Sequence, residues 1–138
     1  MIILDTNVVS ETVRTQPSPT VMRWLQGQSE ALALTSITVG ELLTGVRPLP
    51  PGRRRDGLLA AIEEVLMRQA VILSYDEAAA RVYAIMREKS RAVGRPLSVE
   101  DGMIAAIAAA RGAALATRHV TDFDFLPITT VNPWRADD

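Results

Sequence analysis

Short apolar runs that stop abruptly on a polar residue alternate along this chain with longer stretches whose apolar positions recur at helical spacing. Met1-Ile2-Ile3-Leu4 has the continuous apolar character of a buried strand. It stops at Asp5-Thr6-Asn7, and Val8-Val9 then open a short helix over residues 7–14. Gln16-Pro17-Ser18-Pro19 breaks that helix, and residues 20–28 resume one with Val21, Trp24 and Leu25 on a common face. Leu32-Ala33-Leu34-Thr35 reads as a second buried strand. Ser36 is placed to cap a helix reaching about Gly45, which Pro48, Pro50 and Pro51 keep from continuing. Its buried stripe is expected to be Val39, Leu42, Leu43 and Val46. Leu58, Leu59, Ile62, Val65 and Leu66 give residues 53–67 a helical period, and Val71-Ile72-Leu73 makes a third strand. Residues 76–93 form a long amphipathic helix with Ala79, Val82, Tyr83 and Met86 inward, terminated at Gly94. Ser98 caps a helix through Arg111, closed by Gly112, and its alanines at 105, 106, 108, 109 and 110 permit close packing. Residues 113–116 and 128–131 read as fourth and fifth strands, with an irregular or one-turn helical connection over 120–125.

Strands alternating with helices imply βαβ units with right-handed crossovers. The expected fold is α/β: a three-layer α/β/α sandwich around a mainly parallel sheet of four to five strands. With 138 residues, 48% of them hydrophobic, and neither a repeat nor a low-complexity linker, residues 1–138 are expected to form one domain. The absence of cysteine excludes disulfides and thiolate metal sites. No basic leader is followed by a long apolar stretch, and no run approaches the roughly 20 apolar residues of a membrane span. A soluble cytoplasmic protein with no membrane partner is the expectation. Net charge is −1, from 15 basic and 16 acidic side chains, so any nucleic acid must be met locally rather than by a global field. Lys89 is the only lysine, and Arg53-Arg54-Arg55 is the one dense basic run. Arginine suits bidentate phosphate contacts, although charge runs usually form solvated surface.

Against this scaffold, four acids fall where a βα fold would bring them to one sheet edge. Asp5 ends the first strand, where open α/β sheets place their ligands. Its bland role is to cap the next helix, but Thr6 or Asn7 could cap instead and free Asp5 for the crevice. Glu41 lies about one turn into the helix after the second strand, at the rim of its buried stripe. Asp101 follows Ser98 at capping-box spacing, with Glu100 beside it, so one of these two acids exceeds the helix's own need. Asp122 follows the fourth strand in Thr117-Arg118-His119-Val120-Thr121-Asp122-Phe123-Asp124, and Asp124 competes with it. His119, the only histidine, is a possible ligand or base that more readily bonds locally. Two carboxylates about 5 Å apart at an effective dielectric near 20 repel by roughly 3 kcal/mol, so converging acids call for a cation. An all-oxygen donor set favours Mg²⁺ or Mn²⁺. Metal-activated water attacking a phosphodiester in line is chemistry suited to such a site.

The DTNVVSE start, TSITVGELLTGV, SVEDGMIAAIA, ATRHVTDF and the closing Val131-Asn132-Pro133-Trp134, in that order and spacing, resemble a PIN-domain ribonuclease of the VapC toxin type. The resemblance covers essentially the whole chain. It implies an Mg²⁺- or Mn²⁺-dependent endoribonuclease, a toxin paired with a small VapB-like antitoxin whose carboxyl-terminal segment blocks the site, and a homodimer. By matching motifs, Asp5, Glu41 and Asp101 take the places of the principal catalytic and metal-binding acids and Asp122 that of the fourth. Thr6 matches a hydroxyl residue that supports the metal shell. His119 departs from the asparagine common at its position. Candidate RNA phosphate contacts are Arg47, Arg53, Arg54, Arg55 and Arg118. A phospho-acceptor domain would want a lysine ending a late strand, whereas Lys89 is mid-helix; a dehalogenase-like phosphatase would want Asp where Asn7 stands. The remaining alternatives are a PIN-type RNA-processing nuclease that is not a toxin and an inactive RNA- or partner-binding module.

Overall fold

A computed structural model describes residues 1–68 and 71–136. Its strands are β1 (Ile2–Leu4), β2 (Leu32–Thr35), β3 (Ile72–Leu73), β4 (Ala114–Ala116) and β5 (Thr130–Val131). The α-helices are α1 (Thr6–Thr12), α2 (Pro19–Gln26), α3 (Ser36–Val46), α4 (Arg53–Arg68), α5 (Glu77–Ala92) and α6 (Val99–Arg111). Single 3₁₀ turns occupy Val120–Phe123 and Pro133–Arg135. The strands form one sheet in the order β3-β2-β1-β4-β5, and every pairing is parallel. The three-layer sandwich expected from the alternation is the observed fold.

The first strand made is the central one. Because successive side chains on a strand face opposite ways, β1 supplies both halves of the core. Ile3 joins Ala33, Leu115 and the inward residues of α5 and α6, including Ala79, Met86, Ile104 and Ala105. Ile2 and Leu4 join Val8, Val9, Val21, Leu42, Val46 and Ile62 from the first four helices. Helices thus cover both faces, and full burial of a side chain such as Ile3 or Leu115 contributes about 1.5–3 kcal/mol.

Helix α6 lies close to its neighbours because its inner face is nearly bare. Ala105, Ala106 and Ala108 are fully buried, and a Cβ added at Gly102 would come within 2.8 Å of the Tyr83 ring on α5. Gly112, at φ 63°, ends the helix in the left-handed conformation that glycine adopts without strain.

Two local expectations are corrected. Thr35, not Ser36, caps α3: it is still extended (φ −113°, ψ 159°) where the helix begins, and its side chain accepts the Thr38 N–H at 3.1 Å. Ser36 is the first helical residue, and its hydroxyl accepts the Tyr75 N–H at 3.3 Å. The buried stripe of α3 is Thr38, Leu42 and Val46; Val39 and Leu43, also expected there, are only half-buried. A threonine qualifies for that stripe because its hydroxyl finds partners inside the fold. Among the described residues no helix is long and apolar enough to cross a membrane.

Candidate functional site

Each strand in the middle of the sheet ends on or runs straight into a polar residue, and these residues are level. Register pairs Ile3 with Ala33 and Leu4 with Ala116, which sets Asp5 beside Thr35 on one flank and Thr117 on the other. The Asp5 N–H continues the ladder by donating to the Ala116 carbonyl at 3.0 Å. Asp5 does cap α1, contrary to the expectation that Thr6 or Asn7 would relieve it. It is the last extended residue before the helix, and its Oδ1 accepts the Val8 N–H at 3.0 Å. Its carboxylate also accepts a bond from Thr117. Capping therefore fixes this acid in place.

Asp5 is 8% exposed, and burial is the main reason its pKa is raised above the ordinary 3.8. The bonds from Thr117 and Val8 act the other way; the neighbouring Asp101 raises it further, and His119 lowers it. Asp101 shows the same pattern. Burial raises its pKa most, a bond from Ser98 opposes, and Asp122 adds repulsion. Asp101 sits in the first turn of α6, where its N–H donates to Ser98 Oγ at 3.1 Å.

Glu41 reaches the site through Thr6, whose hydroxyl donates to Glu41 Oε1 at 2.6 Å. Thr6 Oγ1 also lies 3.2 Å from Thr38 Oγ1, and Thr38 Oγ1 lies 3.4 Å from Thr35 Oγ1. A string of hydroxyls thus ties α3 to the ends of β1 and β2. Of the two competing acids after β4, Asp124 is paired with Arg95 at 2.9 Å, whereas the charge of Asp122 is felt at Asp101. His119 donates its backbone N–H to Thr117 Oγ1 at 3.1 Å, and its side chain is near enough to act on Asp5 and Asp101.

The four acids are linked in sequence: Glu41 to Thr6 beside Asp5, Asp5 to Asp101, Asp101 to Asp122. Among the described residues no three acidic or histidine side chains are gathered closely enough to enclose a metal ion by themselves. Next to them a cavity of about 560 Å³ between α3 and α6 is lined by Ile37, Gly40, Glu41, Glu100 and Met103. Thr35, Thr38 and Thr117 were not singled out by sequence reasoning. The available signal was positional, since Thr35 and Thr117 terminate apolar runs as Asp5 does.

The candidate arginines are distributed differently. Arg53 and Arg54 are exposed on α4, and Arg55 donates to the Arg47 carbonyl at 3.3 Å. Arg118 adjoins His119, with its guanidinium 5.1 Å from the centre of the Trp134 ring.

Residues 2–125 match the PIN domain family. The chain belongs to the PIN-domain family. Over its length it is 40% identical to plasmid stability protein StbB of Pseudomonas syringae, covering 99% of this chain and 100% of that protein. It is 39% identical to VapC ribonuclease Y4jK of Sinorhizobium fredii, covering 97% and 98%, and 36% identical to toxin FitB of Neisseria gonorrhoeae, covering 97% and 99%. The crystal structure of FitAcB from Neisseria gonorrhoeae superposes on this PIN domain with a TM-score of 0.89 at 36% identity, over 97% of this chain and 99% of that one.

Proposed function

We propose that this PIN-domain protein is an endoribonuclease that hydrolyses RNA phosphodiester bonds with Mg²⁺ or Mn²⁺, and that it is the toxin of a type II toxin–antitoxin pair. One observation carries the chemistry: the Asp5 carboxylate is almost fully buried at the end of the central strand and near enough to Asp101 to feel its charge, and burial first, then that repulsion, raises its pKa. Burial and like charge both disfavour the ionised form, a cost that a bound cation would offset. The relatives named as a ribonuclease and as a toxin supply the substrate class and the biological role. A protein of the toxin kind needs a small antitoxin to silence it, here one that would close the acidic crevice.

The donor set suits a hard cation, since every candidate side chain among the acids presents oxygen. Asp5, Glu41, Asp101 and Asp122 would hold it, with water completing the shell because no three of them converge tightly. Bound there, it would supply Lewis-acid stabilisation of the charge that builds on the phosphate and would acidify water. Asp5 contributes a carboxylate that cannot swing, because Val8 and Thr117 grip it. Thr6 aims Glu41 toward Asp5 by a 2.6 Å bond. Ser98 orients Asp101 while capping α6.

The test is direct. Purified protein is expected to cut RNA with added Mg²⁺ or Mn²⁺ and to stop with EDTA, and Asp5→Asn to lower the rate at least about 100-fold with its circular dichroism unchanged. Calorimetric titration with Mn²⁺ alone is expected to show weaker binding in Asp101→Asn. Undiminished cutting by Asp5→Asn would sink the assignment. Relief of growth arrest by co-expressing a short reading frame adjacent to this gene separates a toxin from a processing nuclease.

A further inference from the structure

Beside the acidic crevice is a second hollow, lined in part by the His119 that also acts on Asp5 and Asp101, whose construction the acids do not explain. Its volume is about 310 Å³, and Asn7, Arg14, Arg118, His119 and Trp134 line it together with Glu11. Glu11 is unusual for a charged residue on a seven-residue helix, being only 4% exposed. Its carboxylate accepts the Ser18 N–H at 2.9 Å, Arg14 Nη1 at 3.2 Å, and a bond from Trp134. Those bonds, the one from Ser18 foremost, hold its pKa below the ordinary value. A charged anchor of this kind costs free energy to bury and is retained where something must be held still.

What it holds is the Trp134 ring. The indole has one polar atom, and its contact with Glu11 favours one orientation of the ring. A second hold comes from the backbone, where Asn132 Oδ1 accepts the Trp134 N–H at 3.0 Å and Asn132 Nδ2 donates to the Arg118 carbonyl at 3.3 Å. Over the fixed ring lies the Arg118 guanidinium, 5.1 Å from its centre. Arg14 is drawn in by a carboxylate, whereas Arg118 lies over a ring face, a contact that uses none of its N–H donors. Two cationic side chains, a fixed indole and the amide of Asn7 thus surround one hollow that shares His119 with the acids.

We propose that this hollow is a subsite for the RNA strand, taking a phosphate adjacent to the one cleaved on Arg118, with Trp134 and Glu11 as positioning residues that aim the guanidinium. The proposal rests on the ribonuclease reading and deepens it. The strand would run from the acidic crevice past His119 onto Arg118. No arginine of the 53–55 run is needed for this contact.

Binding of a fluorescent single-stranded RNA to the Asp5→Asn variant, with Mg²⁺ present and salt varied, tests it. Against that parent, Arg118→Ala is expected to weaken binding about tenfold and to flatten the logarithmic salt dependence by about 0.7, one phosphate contact on a single strand. Trp134→Leu is expected to do the same, and the double variant to be no worse than either single one, because both act at one contact. Trp134→Phe, which keeps a ring under the guanidinium but loses the bond to Glu11, is expected to fall between. A merely structural role for Trp134 would lower the melting temperature and leave the salt dependence alone. Parental affinity and salt dependence in Arg118→Ala or in Trp134→Leu overturns the subsite while the nuclease reading stands. If the parent itself binds no RNA and the unaltered protein cuts none, both fall together.

Discussion

Asp5 combines three tasks in one carboxylate: it caps α1, accepts a bond from Thr117 and faces Asp101. Its stability effect follows from the direction of its pKa. With the folded value above the unfolded one, the folded chain binds this proton more tightly, so the contribution is full below about pH 3.8 and is lost as pH rises through the folded value. At neutral pH without a divalent cation, Asp5→Asn is therefore expected to melt a few degrees higher than the unaltered protein, and the gap to close in acid. Glu11 has the opposite sign: its pKa is lowered, so its stabilisation is present above about pH 4.5 and fades as pH falls through the folded value. Glu11→Gln is expected to melt lower at neutral pH, with the deficit shrinking in acid; thermal melts across pH 3–8 check both. The acids stood out in the sequence because Asp5 and Asp122 follow strand-like runs and Glu41 and Asp101 lie in the first turns of helices. The threonines did not. Thr35 read as an ordinary strand residue and Thr117 as the start of a connection, and only strand register reveals that they stand level with Asp5.

Helices α5 and α6 were readable to within a residue or so because their ends are written in side chains. Asp76 and Ser98 cap them, and Gly94 and Gly112 take the positive φ at which they stop. The strands β3 and β5 are shorter than their apolar runs suggested, two residues each. Both lie at sheet edges with a single neighbour, where half the ladder is missing. The alanine face of α6 makes a sharper demand. Ala106→Leu would force three extra heavy atoms into a site with no exposure, and is expected to cost about 1–3 kcal/mol, read as a fall in the denaturant midpoint. Ser98→Ala is expected to cost about 1 kcal/mol as a lost cap. It also removes the hydroxyl bonded to the Asp101 carboxylate, so Mn²⁺ affinity is expected to fall as well, measured by the same calorimetry.

Across the whole molecule charge nearly cancels, at −1, so RNA cannot be drawn in by net charge and the salt dependence of binding is expected to be shallow. The exposed Arg53-Arg54 edge of α4 is a dense basic surface among the described residues. Reversing Arg53, Arg54 and Arg55 to glutamate is expected to slow RNA association at low salt, with little effect at high salt; stopped-flow rates at two salt concentrations check this, and unchanged rates would make that edge inert surface. The order in which the sheet is laid down has a further consequence in time. The central strand leaves the ribosome first, yet one of its two flanks, β4, begins only at Ala114, and the acids arrive at positions 5, 41, 101 and 122. Most of the message must be translated before these groups can meet. If these acids are the cutting site, a cell making this chain would meet either the complete set or a fragment that lacks it.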